Sequence, residues 1–243
     1  MNRSAAGSAD DPPAWDAVAE WWGREVANDL VYREDVAPIL DRLLSGAPGP
    51  MLELGCGEGQ WLRHLDRRSD VFGMDGSGRL LRTAGKAAPV ARGELPDLGW
   101  VRTNGLGAAF SVFVLDLIED HERFFAEAAR VVRDAGALVV LINHPVFTAP
   151  DSGPFMDEEL DVFWRWGAYL GRGGTPVPAG GRMMTMYHRP VGDLLTAAAA
   201  AGWSLEAMVE APLGPAAIAR EPTYVGQEGI PRFLGVRWRR RDP

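Results

Sequence analysis

Cysteine is nearly absent: Cys56 is the only one in 243 residues. One thiol cannot close an intramolecular disulfide, and the four histidines (His64, His121, His144, His188) are scattered without the spacing of metal ligands. Neither disulfides nor a structural metal is therefore expected to hold the fold. Lysine is equally scarce, with Lys86 standing alone among the arginines. With abundant alanine and glycine, that usage marks GC-rich coding. Positive charge is in deficit, since 25 basic against 33 acidic side chains leave a formal charge of −8. Wrapping a nucleic acid or lying on an anionic membrane requires a clustered basic surface, and the short run from Arg237 to Arg241, broken by Trp238, does not supply one. No run approaches the ~18 apolar residues of a membrane-spanning helix, and the amino terminus lacks the apolar stretch of a signal peptide. The expectation is a cytoplasmic protein with a small-molecule partner and neither a membrane nor a nucleic-acid one; the oligomeric state is left open.

What is present is a 47% apolar chain long enough for one well-buried domain. Residues 1–13 are small and polar and end in Pro12 and Pro13, a composition that predicts a disordered lead-in. From residue 14 the chain is read as a single domain. Trp15, Val18, Ala19 and Trp22 recur at helical spacing, and a second helix over Tyr32 to Leu44 ends at Gly46. Residues 14–46 thus form a helical amino-terminal unit. Short apolar runs then alternate with helical patterns: strands at 51–54, 71–74, 90–92, 109–115 and 137–142, and helices at 60–68, 77–86 and 120–133. Strands apolar on both faces belong in a parallel sheet covered by helices. Residues 146–187, rich in proline, glycine and aromatics, read as an irregular insertion on the substrate side. A helix from Pro190, a strand from Trp203, a second Pro/Gly-rich insertion over 212–231 and a last strand over 232–239 complete the α/β pattern.

The segment Met51-Leu-Glu-Leu-Gly-Cys-Gly-Glu-Gly-Gln60 is a strand, a glycine-rich turn and a helix start. Glycines let the backbone turn sharply and approach a ligand, and the helix start offers free N–H groups. A nucleotide cofactor is implied. A dinucleotide fingerprint wants glycine at its sixth position, where Gln60 stands. Glu53, two residues before the first glycine, repels a pyrophosphate and suits an ammonium group.

Glu53, Gly55, Gly57 and Gly59, followed by Asp75 at the end of the next strand, resemble the first two motifs of the class I S-adenosylmethionine-dependent methyltransferases. The resemblance extends over about residues 50–239. It implies a Rossmann-like, doubly wound seven-stranded sheet whose last strand is antiparallel, with S-adenosylmethionine as cofactor and S-adenosylhomocysteine as product. In that family Glu53 and the turn Gly55-Cys56-Gly57 hold the methionine portion, Asp75 takes the ribose hydroxyls, and Gly93-Glu94-Leu95 lies beside the adenine in a compressed version of the usual spacing. Phe113 to Asp120, with Leu115, is similar to the motif beside the methionine end. Tyr187-His188-Arg189-Pro190 and Ile230-Pro231 look like a small-molecule subgroup. That points to methyl transfer to an oxygen, nitrogen or carbon of a small acceptor, and the GC-rich coding and aromatic insertion suggest natural-product biosynthesis.

Bland readings stand beside these. Cys56 is small packing inside the loop, and Asp120 reads as a helix cap. Trp22 and Tyr32 are candidate lid and substrate contacts, as is Tyr187, against the ordinary use of aromatics as packing. His144 and His188 are candidate general bases, since imidazole titrates near neutrality; alternatively they hold turns before Pro145 and Pro190. A same-fold protein that binds the cofactor without transfer, such as a cyclase, and an NAD-dependent oxidoreductase are the competing functions.

Overall fold

The computed structural model describes residues 14–66, 68, 70–159 and 161–241, and the expected lead-in 1–13 lies outside them. The chain opens with helix α1 (Ala14–Asn28), a π-helical turn (Tyr32–Val36) and α2 (Ala37–Leu44). Then come β1 (Met51–Leu54), α3 (Gln60–His64), β2 (Val71–Asp75), α4 (Gly78–Ala84), β3 (Val90–Arg92), β4 (Leu106–Val112), α5 (His121–Val131) and β5 (Val132–Asn143). The carboxyl-terminal half adds α6 (Pro145–Thr148), β6 (Gly153–Met156), β7 (Val162–Arg165), β8 (Gly173–Ala179), β9 (Arg182–His188), α7 (Val191–Ala200), β10 (Trp203–Ala211), α8 (Pro215–Arg220) and β11 (Phe233–Arg240).

Seven strands form one sheet in the order β10-β11-β5-β4-β1-β2-β3. The pairs among β1 to β5 are parallel, and β11 runs antiparallel between β5 and β10. This is the doubly wound sheet with an antiparallel last strand that the family resemblance implied. Helices cover both faces because the strands are apolar on both: every residue of β1 and β4 is buried. One core layer joins α2 and α3 to Phe110, Val139 and Leu141. The other joins α5 and α7 to Leu138, Val140, Trp203 and Trp238, with Trp238 edge-on to Phe125 at 5.4 Å between ring centres. Each large side chain buried this way contributes roughly 1.5–3 kcal/mol relative to exposure.

Helix starts follow local chemistry. The Ser77 hydroxyl accepts from the Leu80 N–H at 3.2 Å to cap α4, and the Asp120 carboxylate accepts from the Arg123 N–H at 2.9 Å to cap α5, as its position suggested.

Two expectations change. Residues 146–187 are not irregular: β6 pairs with β7 and β8 with β9, giving two antiparallel hairpins. Prolines are tolerated because each hairpin forms its own two-stranded sheet, so Pro154, Pro176 and Pro178 lie on edge strands where a missing N–H costs little. Strand β4 also ends at Val112, earlier than its apolar run. Phe113 breaks it by adopting a left-handed backbone (φ 56°), a conformation costing a non-glycine residue roughly 1–2 kcal/mol. Among the described residues no helix is long and apolar enough to cross a membrane.

Candidate active site

At the carboxyl ends of the parallel strands lies a cavity of about 380 Å3. Gly55 and Gly57 after β1, Asp75 and Gly76 after β2, Glu94 and Leu95 after β3, and Phe113 and Val114 after β4 line it, with Leu117 and Ile118. Leu80 of α4 and, from α1, Trp15 and Trp22 complete the walls. That is the size class of a small-molecule site, where open α/β sheets bind ligands.

The glycine turn is sterically obligatory. Gly55 has φ 79°, and a Cβ there would fall 2.6 Å from Val114. Asp75 organises the turn: its Oδ2 accepts from the Gly57 N–H at 2.9 Å and its Oδ1 from the Ser77 N–H at 2.8 Å. Burial raises its pKa, and those backbone donors oppose the shift. Glu53 is 1% exposed, with Oε2 unpartnered. Its carboxyl is held well above the usual carboxylate range, first by burial, then by the charges of Glu58 and Asp75. Glu53 lies behind the cavity wall without lining it, and its unpartnered Oε2 beside two other carboxyls is an arrangement that a nearby cation would relieve. This chemistry, the glycine cradle and Asp75 fit S-adenosylmethionine, whose ammonium and sulfonium are positive.

A second cavity of about 280 Å3 adjoins the first, sharing Trp15, Trp22, Phe113 and Leu117. Its other walls include Trp21, Tyr32, Asn143, Met184, Met186, Leu213, Tyr224, Arg232 and Phe233. Tyr32 stacks on Trp61 at 6.0 Å and meets Phe113 edge-on at 5.5 Å. Burial pushes its phenol pKa upward, so it stays neutral.

Of the residues singled out in the sequence, Gly55, Gly57, Asp75, Glu94, Leu95 and Trp22 therefore meet in the first cavity, and Trp22 and Tyr32 in the second. Others fall elsewhere. Cys56 is buried against Gly73 of β2, and burial raises its thiol pKa, so it packs and does not react. Gly93 faces Trp100 and Met74. Leu115 is 1% exposed in the core, while its neighbours Leu117 and Ile118 reach the cavity. Tyr187 sits on the other face of β9 from Met184 and Met186, its hydroxyl 3.3 Å from Glu119.

Both histidines have structural partners and neither lines either of these two cavities. His144 accepts from the Val146 N–H on Nδ1 (3.1 Å) and donates from Nε2 to Glu210 (2.9 Å). Burial lowers its pKa against the pull of Glu210. His188 accepts from the Thr148 hydroxyl at 2.9 Å and donates to the Tyr169 carbonyl at 2.8 Å. The adjacent Arg189 donates to the carbonyls of Leu115, Ile118 and Glu119, pinning the wall that carries Leu117. The insertion aromatics Phe155, Phe163 and Trp166 are exposed on the outer hairpin and its flank.

Sequence reasoning missed Met184, Met186 and Arg232. The two methionines lie two residues apart on a strand, so a periodicity test would have found them. Nothing local distinguished Arg232.

Residues 52–140 match the family model described as a methyltransferase domain. No curated protein matches the chain. Among solved structures, an S-adenosylmethionine-dependent methyltransferase from Mesorhizobium loti is 24% identical, with a TM-score of 0.69 over 93% of this chain and 100% of that one. DhpI in complex with S-adenosylhomocysteine is 19% identical (TM-score 0.56, 93% and 97% covered). A Haloferax volcanii chain solved with the Trm112 methyltransferase activator is 16% identical (TM-score 0.66, 96% and 100% covered). Residues 52–140 thus match a methyltransferase-domain model, and the chain has the fold of S-adenosylmethionine-dependent methyltransferases.

Proposed function

We propose that the protein transfers the methyl group of S-adenosylmethionine to a small organic acceptor, as a single domain from residue 14 in which residues 14–46 form a lid and 146–187 the acceptor side. The observation that carries this reading is the pair of adjoining cavities. The first, walled by Gly55, Gly57, Asp75 and Glu94, suits the cofactor. The second, mostly apolar and aromatic but carrying Asp29, Asn143 and Arg232, suits the acceptor, and Trp15, Trp22, Phe113 and Leu117 stand where the two meet. S-adenosylmethionine supplies an electrophilic methyl on a positive sulfur, open to in-line attack.

The chain's part is then alignment and exclusion of water. Asp75 holds the glycine turn and would accept the ribose hydroxyls, and the buried carboxyl of Glu53 favours a cation nearby. Trp15 and Trp22, 5.7 Å apart and edge-on, cover the junction from α1. The Asp16 carboxylate keeps that helix down by accepting from the Ser77 hydroxyl at 2.6 Å and the Arg79 N–H at 3.0 Å. His144 and His188 hold turns and line neither of the two cavities, so the role of base is assigned to neither. The acidic balance argues against a nucleic-acid acceptor, and a small acceptor of the kind handled in natural-product biosynthesis suits the apolar chamber.

Thermal unfolding with S-adenosylmethionine, S-adenosylhomocysteine or NAD added separately tests the cofactor. A ligand at 100 times its Kd stabilises by ~2.7 kcal/mol, raising Tm by roughly 5–10 °C in a domain of this size. A shift with the first two and none with NAD is expected. A shift with NAD alone would move the protein to the oxidoreductases, and cofactor binding without S-adenosylhomocysteine release on any acceptor would leave a binding module.

A further inference from the structure

Arginine is this chain's structural cation, and several of its enclosed guanidinium groups are multiply hydrogen-bonded. Arg189 donates to four carbonyls. Arg237 binds Glu206 and the carbonyls of Leu43 and Ser45. Arg130 binds Glu127 and the carbonyls of Leu98 and Val101. Arg232 is different. Arg232 lines the second cavity, and among the described residues its guanidinium has neither an ion pair nor a hydrogen bond. Its Cζ lies 4.3 Å from the centre of the Phe147 ring.

The cation is held in readiness. The Arg232 N–H donates to the Ala211 carbonyl at 2.8 Å, and its carbonyl accepts from the His144 N–H at 2.8 Å, fixing the backbone at the sheet edge. Phe147 is wedged beneath the guanidinium by Trp164, whose ring centre is 4.2 Å away. His144 caps the short helix that carries Phe147. Burial lowers the Arg232 pKa while Tyr224 and Asp29 oppose the shift, and a guanidinium remains charged at neutral pH. Asp29, the one acid on the same wall, is not in ion-pair contact, and its Oδ1 accepts from the Val31 N–H at 2.9 Å. A charge with five donors, half-buried and unpaired in a protein with an excess of carboxylates, is costly unless a ligand completes it.

We propose that the acceptor carries a carboxylate and that Arg232 receives it, making Arg232 a specificity-determining residue of the second chamber; this rests on the methyltransferase reading above. A monoanion matches the charge. Among the described residues Arg232 is the one cationic residue lining the chamber, Asp29 is its one acid, and the remaining walls are apolar or neutral, so a phosphate dianion would be left undercompensated. The indole and thioether side chains of Trp21, Met184 and Met186 suit the apolar body of an aromatic acid.

The test is calorimetric titration of the full chain, with and without saturating S-adenosylhomocysteine, using three acid and amide pairs: benzoate and benzamide, phenylacetate and phenylacetamide, indole-3-acetate and indole-3-acetamide. At least one acid is expected to bind about tenfold or more tightly than its amide. Arg232→Met should abolish that preference while leaving the amide and S-adenosylhomocysteine affinities unchanged, and Arg232→Lys should keep part of it. If no acid surpasses its amide, or if Arg232→Met weakens acid and amide equally, the proposal is overturned and Arg232 is a wall. Should Arg232→Met fail to fold, Arg232→Gln carries the same comparison. Failure of S-adenosylhomocysteine to bind the wild type would instead overturn the methyltransferase reading, and the acid preference measured without it would still decide the role of Arg232.

Discussion

Arg189 and Asp116 show how single residues set the cavity wall. Arg189 is 7% exposed and satisfies the Leu115, Ile118 and Glu119 carbonyls. Arg189→Met orphans all three and removes the positive charge facing Asp116, so a loss of roughly 2–4 kcal/mol is expected in urea unfolding. Asp116 is buried with Oδ2 unpartnered. Burial lifts its pKa from 3.8 to about 7, against Arg189 and hydrogen bonds from Asn143. A folded value above the unfolded one means its contribution is fully present below about pH 4 and is lost as pH rises through about 7. Wild-type stability measured against Asp116→Asn should therefore decline across that window and run parallel above it; parallel curves throughout would contradict the shift. The sequence marked Arg189 only as part of a family-like tetrapeptide. Its job as a clamp on carbonyls 74 to 70 residues away depends on contacts no local pattern encodes.

Between elements, the chamber is closed by α1 meeting the β8–β9 hairpin. Gly180, at the hairpin tip, has φ 56°, and a Cβ there would stand 3.0 Å from Trp21. Gly180→Val must both strain the turn, by roughly 1–2 kcal/mol, and push α1 away. Faster tryptic cleavage within α1 and a raised acceptor KM, at near-unchanged S-adenosylhomocysteine affinity, are expected; an unchanged cleavage rate would show that the helix does not lean on the hairpin. The amphipathic stripe of Trp15, Val18 and Trp22 made α1 legible. The hairpin was not legible, because proline and glycine in 146–187 mask the alternation of Met184 and Met186, and an isolated two-stranded sheet tolerates residues that a central strand would reject. The outer aromatics misled for a related reason: composition counts Phe155, Phe163 and Trp166 without saying which side of a hairpin they occupy.

For the whole molecule, β11 is the strand on which the sheet closes. It pairs with β5 over Phe233–Arg239 and with β10 over Phe233–Arg240, and it carries Trp238 into the core. Ending the chain at residue 232 strips both neighbours of their partner. The product is expected to lose its cooperative thermal transition in calorimetry, whereas a retained transition would make β11 an accessory strand.

The sequence by itself determined the alternation of strand and helix, the glycine turn with Glu53, and Asp75 one strand later, because those rest on periods of two and 3.6 and on backbone angles only glycine adopts freely. It could not determine which side chains face the second chamber. That wall is assembled from α1, the end of β4, the β8–β9 hairpin and the residue before β11, segments more than two hundred positions apart. Whether His144 is free or committed, and whether Arg232 is paired or bare, depends on neighbours that only the closed fold brings within hydrogen-bond distance.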